Sequence, residues 1–281
     1  VAVLAILFAY CLCDLPVQAN TLPVAGNNTT RVARLLRCVS HGCPLERMSM
    51  EQTPSKNGAN VSSIIRRLKK LIRTNWRVIV CASCLAVFLY LLDEVLEGEI
   101  MRLDSLAYGL IVERLRSDAL TPVMEGFSAL ATPVVLVVMT LAIAAFAPGR
   151  RPGWCCAVNL VLVASLNVFI KSLVQRPRPE GFRLAVETGF SFPSGHSMAA
   201  MAFYGLIVWL IWRYEKDRRQ RNLFTIAFGF IILMIGISRI YLGVHYASDV
   251  LGGFCAALIW LALFTRLGAP LFMDESKVTQ G

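Results

Sequence analysis

The chain has 281 residues, of which 56% are hydrophobic and only 16% charged, with a mean hydropathy of +0.60. That composition excludes an ordinary soluble domain and points to a chain that crosses a membrane several times. The formal net charge of +10 is not in itself a nucleic-acid signal, because the basic residues fall in short blocks between apolar runs, as they do in membrane proteins.

Residues 1–13, VAVLAILFAYCLC, are apolar but too short for a standard span and lack a basic leading segment. Residues 14–60 are rich in Asn, Thr, Ser and Pro, carry no sustained period and are expected to be disordered. Met48 and Met50 stand just before the first periodic segment, so residues 1–60 read as a disordered or mis-assigned extension. Asn27, Asn28 and Asn60 each open an N-x-[ST] triplet, a weak signal without a known compartment. Cys38 and Cys43 could pair only outside a reducing compartment, whereas Cys81, Cys84, Cys155, Cys156 and Cys255 lie in apolar runs and read as small buried hydrophobes.

Between residues 61 and 77, Ile64, Ile65, Leu68, Leu71 and Ile72 keep helical spacing, while Arg66, Arg67, Lys69, Lys70, Arg73 and Arg77 supply charge. This predicts a basic amphipathic helix on a membrane surface, with Trp76 at the interface. Six spans follow at 78–92, 126–148, 152–170, 194–212, 223–238 (extending to about 242) and 250–265. Each has roughly the length that about 30 Å of hydrocarbon requires, tilt and flanking residues making up the differences. The fold expected is an all-α bundle of six transmembrane helices over residues 78–267, with 268–281 a short tail.

The basic blocks at 66–77, 150–151 and 213–221 alternate so as to lie on one side, which the positive-inside rule makes cytoplasmic, together with both termini. The acidic connection after the first span, residues 93–123, belongs outside and is expected to form an interfacial helix pair. The connections after the third and fifth spans share that outer face.

Three polar clusters converge on this face. Lys171, Arg176, Arg178 and Arg183 follow the third span, where few cations are expected; the anomaly asks for an anion. The bland alternative is a snorkelling lysine with arginines on lipid headgroups. The fourth span opens with Phe192-Pro193-Ser194-Gly195-His196-Ser197. Ser194 suits an N-cap, Gly195 permits close backbone approach, and the helix N-terminus offers N–H groups to an oxyanion. The bland alternative there is a capping motif with an incidental histidine. Arg239 ends the fifth span, and His245 and Asp249 open the sixth. If those two share a helix they are i and i+4, so the carboxylate fixes the imidazole tautomer and leaves the other nitrogen free to attack.

Together the clusters resemble the signature of the type 2 phosphatidic acid phosphatase superfamily, the lipid phosphate phosphatases related to vanadium haloperoxidases. Its pattern K-x6-RP, PSGH and SR-x5-H-x3-D reads here as Lys171 to Arg178-Pro179, Pro193 to His196, and Ser238-Arg239 to His245 to Asp249. The resemblance covers about residues 76–267. It implies that His245 attacks phosphorus to form a phosphohistidine, that Asp249 orients it, and that His196 protonates the leaving oxygen and then activates water. It also implies that Lys171, Arg178 and Arg239 hold the phosphoryl oxygens with Ser194 and the Gly195 N–H, and that no metal or other cofactor takes part. Arg176, Arg183, Tyr241 and Tyr246 stand nearby but outside the signature. Bacterial six-span chains of this kind suggest undecaprenyl diphosphate, phosphatidate or phosphatidylglycerophosphate as substrate, reached from among the membrane lipids, with no nucleic-acid partner.

Two rivals stand beside this reading. His196, His245 and Asp249 could form a two-histidine, one-carboxylate metal site, though three neighbouring cations would repel the ion. A non-catalytic lipid-phosphate binder or transporter would need the cations but not both histidines and Asp249.

Overall fold

The computed structural model describes residues 56–98, 100–147, 151–181 and 183–272. The expectations for the apolar run at 1–13, the Cys38–Cys43 pair, Asn27, Asn28, Met48 and Met50 lie outside those residues, as do residues 14–55 of the disorder expected over 14–60 and residues 273–281 of the tail expected over 268–281. Residues 56–60 are helical instead, and Ala269–Phe272 forms a 3-10 turn. Helix α1, Lys56–Leu96, leaves helical geometry at Asn75, where φ is −107° and ψ is 15°. There the chain divides into two compact units, Asp14–Asn75 on one side and Trp76–Gly281 with Val1–Cys13 on the other. In the first of these units the described backbone is helical from Lys56 up to the break at Asn75.

The described residues of the second unit are all-α. After α1 come the short α2, Arg102–Ala107, a π-helical turn, Tyr108–Arg114, and α3, Thr121–Ala129. Then follow α4, Pro133–Phe146, α5, Arg151–Val174, α6, Gly195–Tyr214, α7, Arg218–Tyr241, and α8, Ala247–Leu267, closed by a 3-10 turn at Ala269–Phe272. Among the described residues, five segments are long and apolar enough to cross a membrane: Asn75–Leu96 and helices α5 to α8. The sixth, expected as one helix over 126–148, is instead the pair α3 and α4, bent by 53°.

Chemistry at Thr132-Pro133 explains the bend. Proline cannot donate to a preceding turn and drives the residue before it out of helical geometry; Thr132 is extended, with φ −70° and ψ 149°. The break strands helix-end carbonyls that need donors in a dry interior. Tyr204 Oη on α6 donates to Leu130 O at 2.8 Å, and Thr132 Oγ1 to Ala129 O at 2.7 Å.

Helix α6 is the hub, buried between α5, α7 and α8. In lipid, helices gain little from sequestering apolar surface and associate through close packing and interhelical hydrogen bonds. Small residues serve the first: Ala200, Ala202 and Gly205 on α6, with Gly252, Gly253, Ala256 and Ala257 on α8, are all buried. Asn159 of α5 serves the second, donating to Ala202 O at 2.9 Å and accepting from Trp260 Nε1 at 2.9 Å. Cys155, Cys156 and Cys255 are buried within this packing, as free thiols. Leu85, Leu89 and Tyr90 of α1 stay exposed, as a lipid-facing helix requires.

The basic connection before the fifth span is shorter than its charge pattern implies. Asp217 caps α7, accepting from Arg219 N at 2.9 Å, so Arg218, Arg219 and Arg221 lie in the helix and not in a loop. The acidic connection at 93–123 also departs from the expected surface helix pair. It folds as α2 and the π-helical turn, and its Asp104 is only 3% exposed.

Candidate active site

Four helix ends meet at one end of the bundle: the C-terminal turns of α5 and α7 and the N-terminal turns of α6 and α8. Lys171 belongs to the last turn of α5, Ser194 and His196 to the start of α6, Arg239 to the last turn of α7, and Asp249 to the first turn of α8. The segment 175–194 runs between α5 and α6 without regular secondary structure and carries Arg178. Gly243, with φ +74°, turns the chain between α7 and α8 and delivers His245 into the same space.

His245 and Asp249 do not share a helix, contrary to the sequence expectation. Tyr246 is the extended N-cap of α8 and Asp249 its third residue, so His245 lies before the helix. The two still meet, because Asp249 reaches back across the cap: its Oδ2 accepts from Tyr246 N at 2.8 Å and lies 3.3 Å from His245 Nδ1. Ser191 Oγ donates a short hydrogen bond to the same oxygen and lies 3.3 Å from Nδ1. The tautomer that suits these partners carries its proton on Nδ1 and its lone pair on Nε2. Burial pushes the His245 imidazole down to about 4, although Asp249 pulls the other way through its hydrogen bond and charge, so the ring is neutral near pH 7.

Arg178 Nη1 lies 3.3 Å from His245 Nε2 and donates to Val244 O at 3.0 Å; Nε and Nη2 donate to Gly189 O and Thr188 O, each at 3.0 Å. Arg239 donates from Nη1 to Ser128 Oγ on α3 at 2.6 Å, and its Nη2 pairs closely with Glu187. Glu187 also lies 3.8 Å from Arg178 Nη2. Partial burial would raise the Glu187 carboxyl, but the charge and hydrogen bond of Arg239 outweigh it and hold the group below the usual carboxylate range. Arg239 Nε is buried with no hydrogen-bond partner among the described residues. Lys171 Nζ donates to Phe190 O at 2.6 Å and lies within electrostatic reach of Arg178 and Arg239. Three cations therefore face a single carboxylate beside an oriented histidine, a local excess that suits an anion with several oxygens.

The start of α6 is built differently from the expectation. Ser194 is an N-cap as foreseen, but its Oγ is turned into its own helix, accepting from Ser197 N at 3.4 Å and Ser197 Oγ at 3.0 Å. The room left by the missing Gly195 side chain is filled by Asn167, whose Oδ1 would lie 3.0 Å from a Cβ there. Asn167 Nδ2 also donates to Pro193 O at 3.1 Å, so α5 clamps the turn that presents His196. With Ser197 N taken by the cap and Met198 N by Ser194 O, the N–H groups of Gly195 and His196 are the ones in the first turn of α6 that precede the helix's own hydrogen bonds. His196 lies within electrostatic range of Arg239, Glu187, His245 and Lys171.

Several site-building residues gave no signal in the sequence. Glu187 and Ser191 sit in the irregular 175–194 segment, Ser128 lies in an apolar run, and Asp104 comes from a connection read as surface. Arg176 is legible only as one of the anomalous cations. Arg183 donates to Pro179 O at 2.9 Å and 2.6 Å within its own loop, and Tyr241 binds Ser117 and Thr121 away from the cations. Among the described residues, no group of three His, Cys, Asp or Glu side chains is placed to hold a metal ion.

Known proteins resemble this chain over the helices that carry the candidate site. The sequence pattern of the PAP2 superfamily matches residues 152–272, which run from α5 to the final 3-10 turn. Phosphatidylglycerophosphatase B of Bacillus subtilis is 35% identical over 150 residues, which are 52% of this chain and 73% of that protein. A lipid A 1-phosphatase of Rhizobium johnstonii is 31% identical over 119 residues, 39% of this chain and 44% of that one. The crystal structure of a transmembrane PAP2-type phosphatidylglycerolphosphate phosphatase from Bacillus subtilis superimposes with a TM-score of 0.57 at 27% identity, over 68% of this chain and 98% of its own. By its likeness to a relative matched over nearly three quarters of that relative's length, the chain belongs to the PAP2 superfamily of membrane phosphatases.

Proposed function

We propose that this PAP2 phosphatase hydrolyses the phosphomonoester of a glycerolipid, phosphatidylglycerophosphate foremost, through a phosphohistidine at His245 and at the outer membrane face. One observation carries the reading. His245 Nδ1 is held by Asp249 and Ser191, while Nε2 stands 3.3 Å from an arginine that, with Arg239, converges on one carboxylate. An anion gripped by that arginine pair is a phosphoryl group presented to a neutral nucleophile.

The steps follow from those atoms. Substrate phosphate replaces the Glu187 carboxylate on Arg239 and Arg178 and also takes up Lys171 and the first N–H groups of α6. The Nε2 lone pair attacks phosphorus, and the phosphorus–oxygen bond to the glycerolipid breaks. His196 gives its proton to the departing alkoxide. The developing imidazolium is stabilised by Asp249. Water, deprotonated by His196, then attacks phosphorus, breaks the nitrogen–phosphorus bond and releases inorganic phosphate. The outer location is supported by the basic residues at 213–221, which lie at the end of the bundle opposite the site.

The choice of a glycerolipid rests on the Bacillus subtilis relatives, whose names specify phosphatidylglycerophosphate. The test is phosphate release by detergent-purified protein from phosphatidylglycerophosphate, phosphatidate and undecaprenyl diphosphate. The highest kcat/KM is expected on phosphatidylglycerophosphate, with no release and no acid-labile phosphoenzyme from His245→Ala. A preference for undecaprenyl diphosphate would overturn the substrate, and turnover by His245→Ala would overturn the mechanism.

A further inference from the structure

Arg176 is a cation beside the site that does not face the phosphate cluster. Its guanidinium is buried and turned the other way, over the Tyr246 ring at 4.1 Å. Nη1 donates to Asp249 Oδ1 and to Ser248 Oγ, both at 2.7 Å, and Nη2 donates to Asp104 Oδ2 at 3.0 Å. Asp104 comes from α2, in the connection between the first two membrane crossings. It is itself fully engaged: Oδ1 accepts from Ser248 N at 2.8 Å and Oδ2 from Ser248 Oγ at 2.8 Å. A guanidinium is thus shared by two buried carboxylates, with Ser248 linking it to Asp104.

The consequence for Asp249 is specific. Its Oδ1 is occupied by Arg176, and its Oδ2 by Ser191 Oγ, Tyr246 N and His245 Nδ1. Both oxygens have donors, Arg176 on Oδ1 and three groups on Oδ2, so the carboxylate cannot rotate away from the histidine without losing several hydrogen bonds. The charges matter as much as the geometry. The two carboxylates are 3% and 0% exposed, and the guanidinium that binds both supplies the opposite charge that their burial calls for. If Asp249 took up a proton, it would no longer be a full acceptor for Nδ1–H, and the lone pair on Nε2 would no longer be guaranteed.

We propose that Arg176 and Asp104 are a positioning pair for phosphoryl transfer: Arg176 keeps Asp249 ionised and aimed at His245 Nδ1, and Asp104 holds Arg176 in place, neither touching the substrate. The inference rests on the reading of His245 as the nucleophile. It assigns work in the site to α2, which lies outside residues 152–272, where the superfamily pattern matches. It also separates the cations after α5 into two kinds, Lys171 and Arg178 facing the anion and Arg176 facing the carboxylate behind the histidine.

The test compares the wild-type protein with Arg176→Gln, Asp104→Asn and the double variant, all full-length in detergent micelles. The substrate is phosphatidate, and histidine-labelled samples are followed by nitrogen NMR of the imidazole rings. Arg176→Gln is expected to lower kcat roughly 100-fold with KM changed by less than about threefold, since orientation and not binding is lost. It leaves two carboxylates without their cation, and the acid limb of its pH profile should move to higher pH. In the double variant the lost charges cancel, so kcat should recover about tenfold relative to Arg176→Gln, a non-additive result. Losses that simply multiply in the double variant, or a loss confined to KM, would overturn the pair.

The NMR arm is independent of turnover. His245 should carry its proton on Nδ1 in the wild type and lose that preference in Arg176→Gln; an unchanged tautomer overturns the proposal even if no lipid tested is a substrate. Should Arg176→Gln fail to fold, Arg176→Lys keeps the charge but cannot span both carboxylates. It is then expected to retain the wild-type acid limb at reduced kcat, and full wild-type kcat in that variant would count against positioning.

Discussion

At the scale of single residues, the site depends on an imidazole kept neutral in a cationic neighbourhood. His245 ordinarily titrates near 6.5, and burial lowers that to about 4 despite the Asp249 carboxylate. The sign for stability follows from proton uptake. Between pH 6.5 and about 4 the unfolded chain binds a proton at this residue that the folded chain does not. This contribution is complete above 6.5 and falls away as pH drops through that window. We therefore expect the His245 resonances of labelled protein to be those of a neutral ring at pH 6, and His245→Gln to lose less Tm between pH 7 and pH 5 than the wild type. A His245 midpoint at or above 6.5 would contradict the burial argument. The pairing of His245 with Asp249 was legible in the sequence because it is local, three backbone steps from the cap of α8. The groups behind that pair were not: Arg176 reaches Asp249 from a distant segment, and no local pattern marks Asp104, a carboxylate that will be buried 144 residues from the serine it binds.

At the scale of elements, the site is only as well formed as the contact between α6 and α8. A Cβ on Gly253 would lie 2.9 Å from Ser194 O and 3.2 Å from Ser197 Cβ, at the turn that presents His196. Backbone on one side and a short side chain on the other leave little to yield. Gly253→Ala should therefore cost about 1–3 kcal/mol, as overpacking of a close-packed interior does, and should lower activity by displacing the start of α6. Gly126 on α3 is the matching control, since a Cβ there meets nothing within 4 Å. Gly126→Ala should be neutral or stabilise by about 0.5–1 kcal/mol through helix propensity. Thermal melts in one detergent decide both, and equal Tm shifts would show that the α6–α8 contact is more yielding than its geometry implies. The crossing helices were legible because their apolar runs are long and bounded by charge. The bend between α3 and α4 was missed because hydropathy is blind to backbone conformation, and 126–148 stays free of charge across Thr132-Pro133. That bend matters to function, since α3 carries the Ser128 hydroxyl bound by Arg239.

At the scale of the whole molecule, the alternation of helices places the ends of α5 to α8 that build the site opposite the segment joining α6 to α7. The charge on the two ends differs in kind. Around the site, Arg176, Arg178 and Arg239 are buried and paired with Asp104, Glu187 and Asp249. At the other end Arg213, Lys216, Arg218 and Arg219 are exposed, and Arg213 lies over the Trp209 ring at 5.7 Å. Insertion reads exposed lysine and arginine in short connections, and on that ground we propose that the segment at 213–221 is cytoplasmic and the site outside. The cations of the site do not reverse this, because most are already paired within the protein and the loop that carries them also holds acidic residues. The prediction concerns two positions in a background in which the nine cysteines are replaced. Val186→Cys, at a residue 98% exposed beside the site, should react with a membrane-impermeant maleimide in intact spheroplasts of the expression host. Lys216→Cys should react only after the membrane is opened. The opposite pattern would place the site on the cytoplasmic face, where its lipid would have to be drawn from the inner leaflet; labelling of both positions in sealed spheroplasts would mean that the chain inserts in two orientations.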